Sequence, residues 1–203
     1  MPDTLVFIDD GFLSKLSKYF GEGEYIKFDK IVFAENLAKK QNLNCKHIFY
    51  YTAPPFQSPV PTEDEKKRKK GHDNFIGKLS AYKNITIRQG RVQRLKIDGN
   101  FIYKQKAVDS LAIIDLMKVP LKYPEVKSII IISSDSDFVP AIDSLKEFCI
   151  RAILCTYYEK KRDTNFSRSN ELIKSAYKYV LLTKDDFNNA SLNKYKNNKA
   201  YLR

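Results

Sequence analysis

Cysteine is scarce and scattered in this 203-residue sequence. Cys45, Cys149 and Cys155 are an odd number without close pairing, so they form neither a disulfide framework nor a CxxC zinc pattern. They are expected to sit reduced in or near the core. Long apolar runs are also missing. None approaches the roughly 18 residues needed to cross a bilayer, and the short apolar stretch after Met1 already contains Asp9 and Asp10, unlike a secretory signal. A soluble, cytoplasmic protein without a membrane partner is the expectation. Neither GxxxxGK(S/T) nor GxGxxG occurs, which disfavours nucleotide-dependent kinases and dehydrogenases. There is no internal repeat.

Charge is lopsided. Lysine and arginine total 36 against 24 acidic residues, a formal net charge of +12. Such an excess suits a polyanionic partner such as nucleic acid, although surplus lysine also serves plain solubility. The 43% hydrophobic fraction supports a globular fold, and the length suits one compact domain with a tail.

Thr4 to Ile8 reads as a short strand ending on Asp9-Asp10-Gly11, followed by a helix through Leu13, Leu16 and Phe20. A second helix is expected from about Phe28 to Gln41, then a strand from His47 to Thr52. The proline-rich stretch Ala53 to Pro61 is an extended loop. Thr62-Glu63-Asp64-Glu65 opens the next helix with a capping threonine and acids where the helix dipole favours them. Ile85, Ile87 and Val92 alternate with polar residues, and Leu95 to Ile97 faces Phe101 to Tyr103 across Asp98-Gly99-Asn100 as a hairpin elaborating the sheet.

Ala107 to Val119 is apolar almost all round and reads as a buried helix ending before Pro120. Val126 to Ile132, with four consecutive isoleucines, is the best candidate for a central parallel strand. A helix then starts near Phe138, with Pro140 in its first turn. Arg151 to Thr156 is a strand, Ser169 to Tyr177 a helix and Tyr179 to Leu182 a last strand. Residues 1–183 form the expected domain, and 184–203 a basic, Asn/Lys-rich tail. The alternation of strands and helices implies a mostly parallel sheet with helices on both faces.

In open α/β sheets ligands gather beyond the carboxyl ends of the strands, and two strong strands here end in acids. Asp9 and Asp10 end the first; Asp135 and Asp137 follow the isoleucine strand. Clustered carboxylates repel unless a cation or protons intervene, and hard oxygen donors suit Mg2+ or Mn2+. The plainer reading is that Asp135 or Asp137 caps the next helix. Asp109 opens the apolar helix and stands to reach the same edge. Asp115 lies on that helix's apolar stripe, either as a satisfied core hydrogen-bonder or as support for a metal site. Lys106 can hold a phosphate there or make an exposed salt bridge.

Three ordered stretches carry a family resemblance: Val6-Phe7-Ile8-Asp9-Asp10-Gly11-Phe12-Leu13, then Lys106-Ala107-Val108-Asp109 with Asp115, then Ser133-Ser134-Asp135-Ser136-Asp137-Phe138-Val139-Pro140. Together they resemble the NYN domain family, the LabA-like relatives of PIN-domain nucleases, over roughly Thr4 to Thr183. The resemblance implies a PIN-like (Rossmannoid) three-layer sandwich with a mostly parallel central sheet and an added β-hairpin. It also implies Mg2+- or Mn2+-dependent cleavage of RNA, with Asp9, Asp109, Asp135 and Asp137 as metal ligands and catalytic acids. Asp10, Asp115, Lys106, Ser133 and Ser134 are the supporting residues.

The sequence departs from the family at several places. Asp10 and Phe12 stand where many members have glycine and asparagine, Ser133-Ser134 where serine-glycine is common, and Tyr177 where an aspartate is often found. For RNA contact the candidates are Lys66, Lys67, Arg68, Lys70, Arg88, Arg91 and Arg94, with Lys96, Phe101 and Tyr103 nearby for stacking. The lysine run also reads as a solvated helix face, and His72 as a surface residue. A catalytically silent RNA-binding or regulatory protein and another metal-dependent phosphoryl hydrolase remain the competing readings. A homodimer is left open.

Overall fold

The computed structural model describes residues 1–159 and 166–192. In chain order its elements are β1 (Asp3–Asp9), α1 (Asp10–Phe20), α2 (Lys30–Lys40), β2 (Asn44–Thr52), α3 (Glu63–Leu79), β3 (Ile85–Gln89), β4 (Arg91–Ile97) and β5 (Asn100–Lys106). Then come α4 (Val108–Met117), α5 (Val119–Lys122), β6 (Ser128–Ile132), α6 (Val139–Glu147), β7 (Arg151–Thr156), α7 (Asn170–Ser175), β8 (Lys178–Leu181) and α8 (Lys184–Asn188).

The helix starts follow local chemistry. Asp29 caps α2 through the amides of Ile31 and Val32, and Thr62 and Glu65 form a reciprocal capping box at α3. Six strands pair in the order β3-β2-β1-β6-β7-β8, every pairing parallel. Alternating side chains divide the core into two layers. On one face Val6, Ile8, Ile48, Ile130 and Ile132 pack with Leu13 and Leu16 of α1 and Phe33 and Leu37 of α2. On the other, Leu5, Phe7, Phe49, Ile129 and Ile131 pack with Leu116 of α4 and Leu145 of α6. The result is the expected three-layer α/β sandwich of PIN-like form.

The chain steps from β1 outward to β2 and β3, then returns to the other side of β1 with β6 and steps outward to β7 and β8. Strand order therefore reverses between β1 and β6. That is where an open sheet splits its helices between two faces and leaves a crevice at the strand ends.

Several expectations need correction. The β4–β5 hairpin is a separate two-stranded antiparallel sheet, not an extension of the main one. Its turn is one residue shorter than expected: Asp98 and Gly99 alone make it, Asn100 pairs with Ile97, and Leu95 stands opposite Ile102. The apolar helix is not buried all round: Val108, Ala112 and Leu116 are covered, whereas Ile114 is 48% exposed. Pro120 is no stop signal; α4 ends at Met117 and the proline sits in the first turn of α5, where its missing N–H is harmless. Cys155 is buried and Cys45 half-buried, but Cys149 is exposed, in a left-handed turn before β7.

Residues 184–190, read from sequence as the start of a tail, pack on the domain. α8 has a capping box at Thr183, Phe187 and Ala190 are fully buried, and Ala190 accepts a hydrogen bond from the Asp29 amide at 2.8 Å. Residues 193–203 lie outside the described residues. Two anchors one turn apart are too few to show a helical period, which is why the segment read as unpatterned. Among the described residues no helix is long and apolar enough to cross a membrane.

Phe187 meets the rings of Phe20, Phe28 and Phe33. Phe187→Ala is therefore expected to cost ~3–5 kcal/mol of stability, read as a fall in the urea midpoint. An unchanged midpoint would return this segment to an unpacked tail.

Candidate functional site

The site begins with a register. β1 and β6 align Ile8 with Ile132, so the next residues, Asp9 and Ser133, emerge side by side at the crevice. Asp9 caps α1, accepting from the Phe12 amide at 3.2 Å and from Ser133 Oγ at 2.9 Å. Ser133 Oγ in turn accepts the Asp135 amide at 3.2 Å. One hydroxyl thus ties the first acid to the third. Asp135 caps the following 3-10 turn, accepting the Asp137 amide at 2.9 Å. Capping and ion binding are compatible, since a carboxylate offers lone pairs on both oxygens.

Asp109 comes from across the hairpin. β3 hands over to β4 at Gly90, where a Cβ would lie 2.4 Å from the Lys106 carbonyl and 2.7 Å from a Val108 methyl. Only glycine lets the two hairpin ends close this tightly. Ala107 then adopts a left-handed conformation (φ 67°), and α4 starts with Asp109 in its first turn. Lys106 is exposed at the end of β5, and Ser134 lines the crevice.

The four acids act on one another electrically. Loss of surrounding water pushes the Asp9 carboxyl up from 3.8 to about 6; the bonds from Phe12 and Ser133 oppose this, and the charges of Asp109 and Asp10 add to it. Asp109 is raised too, first by burial and then by Asp135 and Asp137. Asp137 is exposed. Among the described residues no three His, Cys, Asp or Glu side chains stand close enough to hold an ion as they lie. The donor chemistry nonetheless fits a hard divalent cation: every donor is a carboxylate oxygen, and one carboxylate is desolvated and raised by its neighbours. Asp9 and Asp135 line a cleft of 460 Å³ together with Lys15, Ser134 and Arg168.

Asp10 serves differently from its neighbour. It accepts from Ser14 Oγ at 3.0 Å, Thr52 Oγ1 at 3.1 Å and the Tyr50 hydroxyl. Lys30 Nζ, on a side chain only 11% exposed, lies 3.9 Å away. Asp10 thereby fastens α1 and α2 to the end of β2. Asp115 proves to be the core hydrogen-bonder: buried, it takes Arg88 Nε and a second guanidinium nitrogen at 2.9 and 3.1 Å, and the Tyr51 hydroxyl at 3.2 Å. Phe12, at the first departure from the family pattern, is buried in the core, and Tyr177 is exposed against Arg151.

The RNA-contact candidates divide. Lys66 pairs with Glu63 on α3, while Lys67, Arg68 and Lys70 lie exposed on the same helix. Arg88 is occupied by Asp115, and Arg91 is exposed at the hairpin base. Arg94 lies 4.8 Å from the ring centre of Phe56 and 4.5 Å from that of Phe101. The hairpin register puts Val92, Arg94 and Lys96 opposite Gln105, Tyr103 and Phe101. These share one face. Its root reaches the crevice, for Gln105 Oε1 would stand 3.2 Å from a Cβ on Gly11, the same distance as Asp9 Oδ1. Neither Gln105 nor Phe56 was singled out from sequence; the strong Asp98-Gly99 turn would have yielded the Val92–Gln105 pairing by counting back.

A parallel sheet with helices on both faces and carboxylates at the point of strand-order reversal defines a PIN-like domain. The family model described as the NYN domain matches residues 4–183, and the chain belongs to that family. No match is found among curated proteins. Among solved structures it is similar to VPA0982, a protein of unknown function from Vibrio parahaemolyticus RIMD 2210633, at 16% identity over 92% of this chain and 95% of that one, with a TM-score of 0.55. At that identity the likeness speaks for the fold alone.

Two outcomes test the site. In metal-free protein the Asp9 carboxyl carbon should titrate by NMR near pH 6, and Asp109→Asn should lower that value only in part, because burial is the larger cause. The sign follows from linkage: the folded state binds this proton more tightly than the unfolded state, so its contribution to stability falls as pH rises from 3.8 to about 6. An Asp9 titration at an ordinary carboxylate value would remove the proposed coupling. For Asp10, alanine should cost ~3–5 kcal/mol by stranding Lys30, and Lys30→Met added to it should recover much of the loss. Additive losses in the double variant, measured by urea unfolding, would show that the two do not interact.

Proposed function

We propose that this NYN-domain protein is a divalent-metal-dependent ribonuclease that hydrolyses RNA phosphodiester bonds, with an endonuclease as the favoured form. The observation that carries this reading is the coupling of Asp9, Asp109, Asp135 and Asp137 at the strand-order reversal, with the Asp9 carboxyl held up by lost water and neighbouring charge. Such a group of acids is stabilised by a cation.

Asp9, Asp109, Asp135 and Asp137 would hold Mg2+ or Mn2+, which when bound activates water and offsets charge on the phosphate and leaving oxygen. The chain's own residues do the rest. Ser133 orients Asp9 and fixes the backbone of Asp135. Asp10 anchors the strand ends without entering the chemistry, and Asp115 holds α4 in place. The Arg94, Lys96, Phe101 and Tyr103 face of the hairpin offers cations and rings to an RNA strand, with Arg91 and the exposed cations of α3 adding long-range attraction. Three free cysteines and an RNA substrate fit the cytoplasm.

A silent RNA-binding protein is the second reading. It is favoured by the lack, among the described residues, of three acids already drawn together.

Asp135→Asn keeps the side chain's shape and removes its charge. Metal-dependent cleavage of labelled RNA should fall by orders of magnitude, with little change in melting temperature. RNA binding should survive and weaken steeply with salt, because phosphate contacts release counterions. Equal cleavage by wild type and variant, with contaminating nuclease excluded, would leave the silent reading ahead.

A further inference from the structure

The outward stripe of α1 carries a pattern that the acid centre does not use. Gly11, Ser14, Lys15, Lys18 and Tyr19 recur at three- and four-residue spacing, so they share one face of the helix, and Glu22 follows in the turn after it. The opposite stripe, Phe12, Leu13, Leu16 and Ser17, is buried. The outward stripe floors a groove of 820 Å³ walled by Tyr25, Thr52, His72, Gln105 and Phe166. This groove meets the acid crevice, because Gly11, Lys15 and Phe166 line both. At their junction a Cβ on Gly11 would press on Asp9 Oδ1 and Gln105 Oε1, each at 3.2 Å. The bare glycine therefore keeps the junction open.

Cations and rings alternate along the groove. Lys18 Nζ lies 5.8 Å from the centre of the Tyr25 ring, which is 60% exposed, and Lys15 Nζ lies 5.1 Å from that of Phe166. Its two acids are engaged elsewhere, Asp10 with hydroxyls and Lys30, and Glu22 with Lys184 at 3.5 Å. We propose that this groove seats a single-stranded RNA segment adjacent to the acid centre, with Lys15 and Lys18 on its phosphates and Tyr25 stacked on a base. The seat rests on the reading of the protein as an RNA-acting enzyme, and it adds where the strand lies and in which form. From Gly11 to Tyr19 the helix rises about 12 Å, against about 3.4 Å per nucleotide of a stacked strand. That is room for about three nucleotides. Stacking on Tyr25 needs an unpaired base, which a single strand offers and a duplex does not.

The test is fluorescence anisotropy with the full chain in excess chelator, so that no cleavage intervenes. The probes are a labelled eight-nucleotide oligouridine, its oligothymidine counterpart and a twelve-base-pair RNA duplex. Lys18→Ala and Tyr25→Ala should each weaken oligouridine binding about tenfold, with Tyr25→Phe near wild type and duplex affinity unchanged. Both side chains are exposed, so melting temperatures should hold. An equal loss for oligothymidine supports the seat and assigns it to stacking and phosphates; a smaller loss there supports it with a sugar contact added. Unchanged oligouridine binding, or equal losses for single strand and duplex, overturns it. The outcome is separable from the nuclease reading: weakened binding by Tyr25→Ala in a protein that never cleaves RNA would keep the seat and reject the nuclease.

Discussion

The parallel pairing of β1 with β6 is the constraint on which the rest depends. Because the strand order reverses between them, the chain leaves this pair toward opposite sides of the sheet and a crevice opens at the strand ends in between. Because Ile8 is aligned with Ile132, Asp9 at the end of β1 faces Ser133 just past β6. A register slip of one residue would turn Asp9 into the core and separate it from Ser133. The pairing is well specified, for β1 and β6 are buried on both faces and every residue of β6 is buried. Fold and site are thus fixed by the same apolar contacts.

Asp9 and Asp10 show how one junction assigns two roles to adjacent acids. Asp9 ends the strand and, among the described residues, receives a helix-start amide and a serine hydroxyl, which do not offset its loss of water. Asp10 begins the helix, so its side chain is rotated toward the α1–α2 layer, where three hydroxyls and a buried lysine satisfy it. Burial lowers the Lys30 pKa while Asp10 raises it, and a charge taken out of water persists only with such a partner. The second acid stiffens the platform that leaves the first one needy. A glycine in its place would leave Lys30, Tyr50 and Thr52 to find other partners.

How much was legible follows from where information is local. The isoleucine run and the strand ending on Asp9 announced themselves through uninterrupted apolar residues bounded by acids, and with them the crevice. The hairpin was readable from Asp98 and Gly99, which both take positive φ in the turn. That it stands apart from the main sheet was not readable, because this depends on what the edge strand β3 pairs with and not on the hairpin's own residues. The role of Asp10 was hidden too: its partners lie four, twenty, forty and forty-two residues away on three elements. The outward stripe of α1 was not read, because the helix showed itself through Leu13, Leu16 and Phe20 and only the groove beside it gives the spacing of Lys15, Lys18 and Tyr19 a meaning.

Asp109 poses the hardest positional problem, since its charge bears on Asp9 from the far side of a hairpin that, among the described residues, makes no sheet pairing with the rest. Two devices solve it. Gly90 pins the hairpin's base by letting the Lys106 carbonyl approach to a distance no side chain would permit. Asp115, six residues along α4, is then gripped by Arg88 and Tyr51, which are aligned partners on β3 and β2 and so present their side chains together. A helix held at its start by a closed hairpin and near its end by the Arg88–Asp115 ion pair has little freedom to rotate. Asp115 therefore bears on the acid centre through the backbone and not through its charge. The hairpin, free of the sheet beyond its base, can carry Arg94, Phe101 and Tyr103 outward without disturbing the acid at its root.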